Sequence, residues 1–327
     1  MPLPENRYPA RAVQPIQHRL FAVPQHRTAG AKFEFVKIRI GIGLGSGDPA
    51  GFAESVDLLE AQGIDSLWLS EVVFGSQVEP IVGMTAALAR TRKLKVGTGV
   101  VVLPGRHPVL VAKQLLSLAA LAPGRVLPAF GLAPARPDER QVFLVPPGRR
   151  AAAFDEAMVL LRKLLTEDDV TFRGEFHSVE GVTLGPKPAK PLDVWLGGAA
   201  PAALERIGRL ADGWLGSLIP PDQARQSREA IQAAASAAGR EIEEDHFGLS
   251  LAVATHGVPD TLLAAARRRR PDADPAVLIA DGFPHARALL ERHIDAGLTK
   301  FVVRPAGPMP FPEFLGAVRE QLLPLQN

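Results

Sequence analysis

Short runs of β-branched and apolar residues alternate along this chain with stretches of helical periodicity. The first run is VKIRIGIGLG, Val36 to Gly45. GFAESVDLLEAQG follows, with Phe52, Val56 and Leu59 on one face and Gly63 as its stop, which predicts a helix. DSLWLSE, Asp65 to Glu71, reads as the second strand, and a helix is expected from Pro80 to Arg90, with proline suited to its first turn. The third strand lies in KVGTGVVVLPGRHP, Lys95 to Pro108. It holds two glycines, Gly97 and Gly99, which in a strand signal a bulge or a close neighbour on the backbone. The helix VLVAKQLLSLAAL and a fourth strand, RVLPAFGLA, come next.

About 60 residues then exceed what one strand–helix unit needs. They contain a helical pattern, AAFDEAMVLLRKLL, and a β-like excursion, VTFRGEFHSVEGVTL. Alternation resumes with LDVWLGG, GWLGSLI, HFGLSLAVATHG and KFVVRP as strands five to eight. The seventh helix is the weakest, because Asp260 to Arg270 is short and bounded by prolines. Eight strands alternating with helices imply parallel pairing and right-handed crossovers, hence an α/β fold. The expected architecture is a (β/α)8 TIM barrel with an insertion between strands 4 and 5. Residues 1–35 lack periodicity and read as an N-terminal extension, leaving 36–327 as one barrel domain.

Composition narrows the chemistry. The chain has 327 residues, of which 46% are hydrophobic, so it can bury a large core. With 37 basic and 35 acidic side chains the net charge is +2, which gives no case for a nucleic-acid partner. The basic run Arg267 to Arg270 has no interleaved aromatics and reads as a solvated helix end, the rival being a polyanion site. No cysteine is present, which excludes disulfides, thiol nucleophiles and thiolate metal sites and suits the cytoplasm. No apolar run reaches membrane-span length, and the N-terminus has no signal-peptide core, so no membrane role is expected.

Barrel chemistry sits at the C-terminal ends of the strands. Those ends carry Gly45 to Asp48, Ser70 and Glu71, Arg106 and His107, Gly131, Gly197 and Gly198, His256, and Arg304. GLGSGDP begins like a dinucleotide fingerprint, but Asp48 occupies the third glycine position. No P-loop, zincin helix or nucleophile elbow occurs, and no metal is expected. In WLGGAAP, Gly197, Gly198 and the small Ala199 precede a helix, a turn that can either hold phosphate on bare amides or be a tight connection without a ligand.

Four segments in this order resemble the luciferase-like monooxygenase family in its deazaflavin branch: SLWLSE, VGTGVVVLPGRHPVLVAKQLLSLAAL, LGGAAPAALERIGRLADGW and DAGLTKFVVRP. The likeness runs from about Lys37 to Pro305. It implies a barrel holding coenzyme F420, or alternatively FMN, at its mouth, and a homodimer through helices 2 and 3. It further implies a cis non-proline peptide in the third strand that presses on the cofactor ring. The matching bond is Gly99–Val100, preceded by Thr98, with Ser70 and Gly131 on the neighbouring strands and Gly197, Gly198 and Ala199 at the phosphate end.

The sequence departs from that pattern at Val72, where many deazaflavin members carry histidine. Proton chemistry then falls to Glu71, His107 or His256, unless the reaction needs none. Glu71 can be an acid of raised pKa or an ion-pair partner of a nearby arginine. His107 can act in the reaction or cap backbone at the strand end. Arg304 suits an anionic substrate or the cofactor's acidic tail, with His256 as a second substrate contact. The function implied is an F420-dependent oxidoreductase passing a hydride to or from a small organic substrate. FMN-dependent oxygenation with a separate reductase is the alternative, and a non-catalytic flavin-binding barrel is the second.

Overall fold

The computed structural model describes residues 36–44 and 49–327. The N-terminal extension and the loop Gly45 to Asp48 lie outside the described residues. The remaining expected strands and helices all form. Strand β1 spans Arg39–Leu44, followed by α1 (Phe52–Ala61), β2 (Ser66–Leu69) and α2 (Pro80–Arg90). The third barrel strand is split into β3 (Lys95–Thr98) and β4 (Val101–Val102), and α3 is Pro108–Leu121. The fourth is split at Pro128 into β5 (Val126–Leu127) and β6 (Ala129–Gly131). Next come α4 (Arg150–Thr166) and the antiparallel pair β7 (Val170–Arg173) and β8 (Ser178–Val182), a sheet of its own between the fourth and fifth barrel strands.

The second half contains β9 (Trp195–Gly197), α5 (Pro201–Leu210), β10 (Gly213–Ser217), α6 (Pro221–Ala237) and β11 (Phe247–Ala254). After α7 (Asp260–Arg269) a short strand, β12 (Ile279–Asp281), joins the sheet, then α8 (Phe283–Asp295), β13 (Lys300–Ala306) and α9 (Phe311–Gln321). Pairing is parallel and runs β4-β6-β9-β10-β11-β13-β1-β2-β3-β5. Because β3 and β4 belong to one strand and β5 and β6 to another, this order closes on itself as a (β/α)8 barrel.

Two elements were not evident from the pattern. α9 covers the last barrel strand, and β12 runs beside the upper end of β11, pairing Ala252 to Ala254 with Ile279 to Asp281. β10 pairs only with the lower half of β11, so β12 takes its place above that point. The seventh helix does form as α7, but α8 leads into the eighth strand.

Alternation along the strands sorts side chains into an outer layer under the helices and an inner stack. The middle of the inner stack is filled by Trp68, Ala129, Trp195, Leu215 and Val302. The rings of Trp68 and Trp195 lie 6.4 Å apart at 58°. This packing accounts for Gly97: a Cβ there would come within 2.6 Å of the Leu127 carbonyl and 3.0 Å of the Trp68 ring. At the base, Asp65 pairs with Lys95 at 3.0 Å and Lys300 at 3.2 Å. Among the described residues, no helix is long and apolar enough to cross a membrane.

The ladder between the third and fourth strands is interrupted between its two short pieces, and Thr98 bridges the interruption. Its hydroxyl donates to the Ala129 carbonyl at 2.6 Å and accepts from the Ala129 amide at 2.7 Å. Thr98→Val keeps the shape but leaves both buried Ala129 groups unpaired. Chemical denaturation is expected to show a loss of about 2 kcal/mol or more; no change in midpoint would mean water or a backbone shift replaces the bridge.

Candidate active site

One layer above the tryptophans, the inward-facing positions hold almost no side chain. They are Ser70, Gly99, Gly131, Gly197, Ser217 and Ser250, with Arg304 as the one large residue, and all seven line a cavity of about 570 Å³. A cavity of that size, at the C-terminal ends of barrel strands, is in the range of small-molecule and cofactor sites.

The floor is built on the strand break. The Gly99–Val100 peptide is cis, as the sequence resemblance implies. Both its flanking carbonyls are held by the second strand's end. Ser70 Oγ donates to the Gly99 carbonyl at 3.0 Å, and the Glu71 amide donates to the Val100 carbonyl at 3.3 Å. The Gly99 amide donates to the Leu69 carbonyl at 2.8 Å.

Opposite, β9 ends at Gly197, and α5 begins with Ala200 as its N-cap and Pro201 as its first residue. No side chain caps this helix. Among the described residues, the amides of Ala199, Ala200 and Ala202 donate to no group, so three N–H dipoles are left for an anion. Gly198 takes φ 128°, a conformation in which a Cβ would also sit 2.9 Å from the Ala203 methyl. Its carbonyl accepts from Trp214 Nε1 at 2.8 Å, which ties the turn to β10.

Charge at the mouth is uneven. Arg206 is paired with Asp155, and Arg270 with Asp272, Gln223 and the Leu218 carbonyl. Arg269 donates to the Ala135 carbonyl at 3.2 Å but pairs with no carboxylate among the described residues. Arg304 has no hydrogen-bond or ion-pair partner among the described residues, and its Nε is buried. Burial, and then the charge of Arg269, lowers its pKa. A guanidinium still stays cationic at neutral pH. Two uncompensated cations therefore face the cavity, which favours an anionic ligand.

Glu71 is 6% exposed and is the one carboxylate among the described lining residues. Its Oε1 accepts from Arg106 and its Oε2 from the Val102 amide at 2.9 Å. Arg106 in turn donates to the Val102 carbonyl at 3.0 Å and lies over the Phe143 ring. The ion-pair alternative is thus realised, yet burial outweighs the arginine and raises the Glu71 pKa.

Of the residues singled out in the sequence, Ser70, Glu71, Gly99, Val100, Gly131, Gly197, Gly198, Ala199 and Arg304 come together, with Val72 beside them. Arg106, paired with Glu71, does not line the cavity, and neither do three others. Thr98 is the bridge between strands described above. His107 is exposed and is the N-cap of α3, its Nδ1 accepting from the Val109 amide at 3.3 Å, so the backbone-capping alternative holds. His256 is exposed and meets only the Thr255 hydroxyl among side chains, at 3.1 Å. The expected solvated end of α7 holds for Arg267, Arg268 and Arg269, which are exposed, whereas Arg270 is half-buried; Arg269 and Arg270 also line the mouth. Ser217 and Ser250 were missed, although period-two counting from Leu215 on β10 and from Gly248 on β11 could have placed one small inward residue atop each strand.

The family model for luciferase-like monooxygenases matches residues 33–310. F420-dependent glucose-6-phosphate dehydrogenase from Kineococcus radiotolerans is 29% identical over 51% of this chain and 52% of its own. The chain spans about half the length of the curated relatives it matches first. An F420-dependent secondary alcohol dehydrogenase, solved with an F420–acetone adduct, superposes with TM-score 0.75 over 89% of this chain and all of that one, at 19% identity, a likeness of fold. Monooxygenase RslO1 from Streptomyces bottropensis superposes with TM-score 0.71 at 26% identity, over 88% of this chain and 99% of that one.

Two variants probe the electrostatics. Arg304→Met removes an unpartnered cation, so thermal melts should show an unchanged or more stable fold, while anionic cofactor affinity falls by about tenfold or more. Loss of stability with unchanged affinity would make Arg304 structural. For Glu71, a raised folded pKa means stabilisation complete below the unfolded value and lost as pH rises through the folded one. Glu71→Gln cannot titrate, so its stability relative to wild type should improve as pH rises above the ordinary carboxylate range, until the raised pKa is passed. A parallel pair of curves would place the Glu71 pKa at its ordinary value.

Proposed function

Because the chain belongs to the luciferase-like monooxygenase family, we propose that it is a coenzyme F420-dependent oxidoreductase acting on a small organic substrate. The observation that carries this reading is the emptied inner layer, six Gly or Ser positions and one unpartnered Arg304 over a packed tryptophan layer. A flat ring needs such a floor, and the Gly99–Val100 segment contributes to it, with the Val100 side chain set against Gly131 and Gly197. The phosphate end fits Gly197, Gly198, Ala199 and the uncapped start of α5. Arg304 and Arg269 complement the remaining negative charge.

The bound deazaflavin would supply two-electron hydride chemistry; the chain supplies orientation, charge and exclusion of water. With Val72 where a histidine often stands, Glu71 is the proton-handling candidate. Its raised pKa suits that task, and Arg106 and the Val102 amide hold its carboxylate in one orientation. The reading includes a homodimer through α2 and α3, whose Val82, Leu110 and Leu121 are exposed. It also includes a cytoplasmic location without nucleic-acid or membrane partners.

FMN-dependent oxygenation is the second reading, favoured by the 26% identity to RslO1. Separate titrations with F420 and FMN, followed by tryptophan fluorescence, distinguish them, since Trp214 bonds to Gly198 and Trp68 underlies the floor. Tight F420 and weak FMN binding is expected. The reverse order would favour the oxygenase, and binding of neither would sink both. Gly198→Asp should abolish binding by placing a carboxylate beside the phosphate, with Gly198→Ala as the control for backbone demand. Unchanged affinity in Gly198→Asp would remove this turn from the site.

A further inference from the structure

A second chamber of about 420 Å³ lies beside the cofactor cavity, and its lining has a different character. Leu44, Phe52, Leu69, Val78, Met309 and Phe311 form most of its wall. They come from the ends of β1 and β2, the start of α1, the loop before α2 and the segment after β13. No charged side chain lines it among the described residues. The cofactor cavity next door is lined by four arginines and a glutamate.

Its polar groups are few. Ser55 Oγ is already bonded to the Gly51 carbonyl at 2.9 Å, and Ser70 Oγ to the Gly99 carbonyl. Gln77 also lines the chamber, and its amide oxygen is buried without a hydrogen-bond partner. A buried acceptor left unpaired costs stability that a ligand's donor would recover. Ser70 is the one described residue common to both cavities. A molecule in the chamber thus reaches the cofactor cavity at the residue that grips the Gly99 carbonyl.

We propose that this chamber is the substrate site, and that it takes an uncharged, mainly apolar small molecule carrying one hydrogen-bond donor, of the alcohol class. The proposal rests on the reading that the neighbouring cavity holds the cofactor. An anion would lose its hydration here and find no cation among the described residues to replace it, and a phosphate ester would fare the same. Arg304 then belongs to the cofactor side, and substrate recognition does not depend on it or on His256.

The test uses the full chain, with and without saturating F420, and saturation-transfer NMR on two probes of equal length, 2-octanol and octanoate. The alcohol should bind, F420 should not displace it, and octanoate should bind about tenfold or more weakly. Ser55→Trp and Val78→Trp each fill the chamber from a different wall. Both should lower alcohol affinity by about tenfold or more and leave F420 affinity within about twofold. Octanoate binding as well as the alcohol, displacement of the alcohol by F420, or alcohol affinity unchanged in both variants would overturn the proposal. If wild type fails to bind F420 yet the two variants still lose the alcohol, the chamber stands and the cofactor reading falls.

Discussion

The structure turns on the vertical stacking of side chains inside a closed barrel. Period-two alternation sends every second residue inward, and the diameter of an eight-stranded barrel leaves room for only a few side chains per layer. Here the middle layer is overfilled with indoles, Trp68 and Trp195, and the layer above is stripped to glycine and serine. The lower layer makes the barrel rigid, and the upper one leaves a flat-bottomed cavity on a rigid support. The binding function and the stability of the core therefore come from adjacent layers of the same strands.

The charges follow the same division. At the base of the barrel, half-buried Asp65 is surrounded by Lys95, Lys300 and, at 3.8 Å, Arg39. Arg106, Arg206 and Arg270 are paired too. Arg304 is the exception, a cation with a buried nitrogen and no partner among the described residues. A fold built only for stability would replace it with an apolar residue, since an uncompensated buried charge is costly. Its presence at the centre of the mouth is best explained by an anion that arrives from outside.

The strand break joins the two themes. The cis segment at Gly99–Val100 interrupts the ladder, and three neighbours re-anchor it: Thr98 to Ala129, Ser70 to the Gly99 carbonyl, and the Glu71–Arg106 pair to Val102 on both its amide and carbonyl. Glu71 thereby does structural work while its burial keeps its pKa high. His107, which looked equally chemical in the sequence, spends its ring nitrogen on the start of α3. The difference between the two is position: Glu71 follows an inward-facing serine at the barrel mouth, whereas His107 lies beyond the strand, where the chain turns into a helix.

The sequence alone determined the alternation of strands and helices, hence the barrel, because hydrophobic period and helix caps are local properties. It also pointed to the LGG turn and the third-strand break, since glycines in apolar runs are visible without coordinates. Tertiary structure decided which strand-end residues share one cavity. Thr98, His107 and His256 sit within a few residues of lining positions, yet side-chain direction turns them elsewhere. It decided that Arg269 and Arg270 close over the mouth, because the course of α7 across the barrel is set by packing against distant elements. It also decided that, among the described residues, Arg304 has no partner and a chamber without charged lining adjoins a cationic one. Pairing and enclosure are relations between residues far apart in the chain, and no local pattern encodes them.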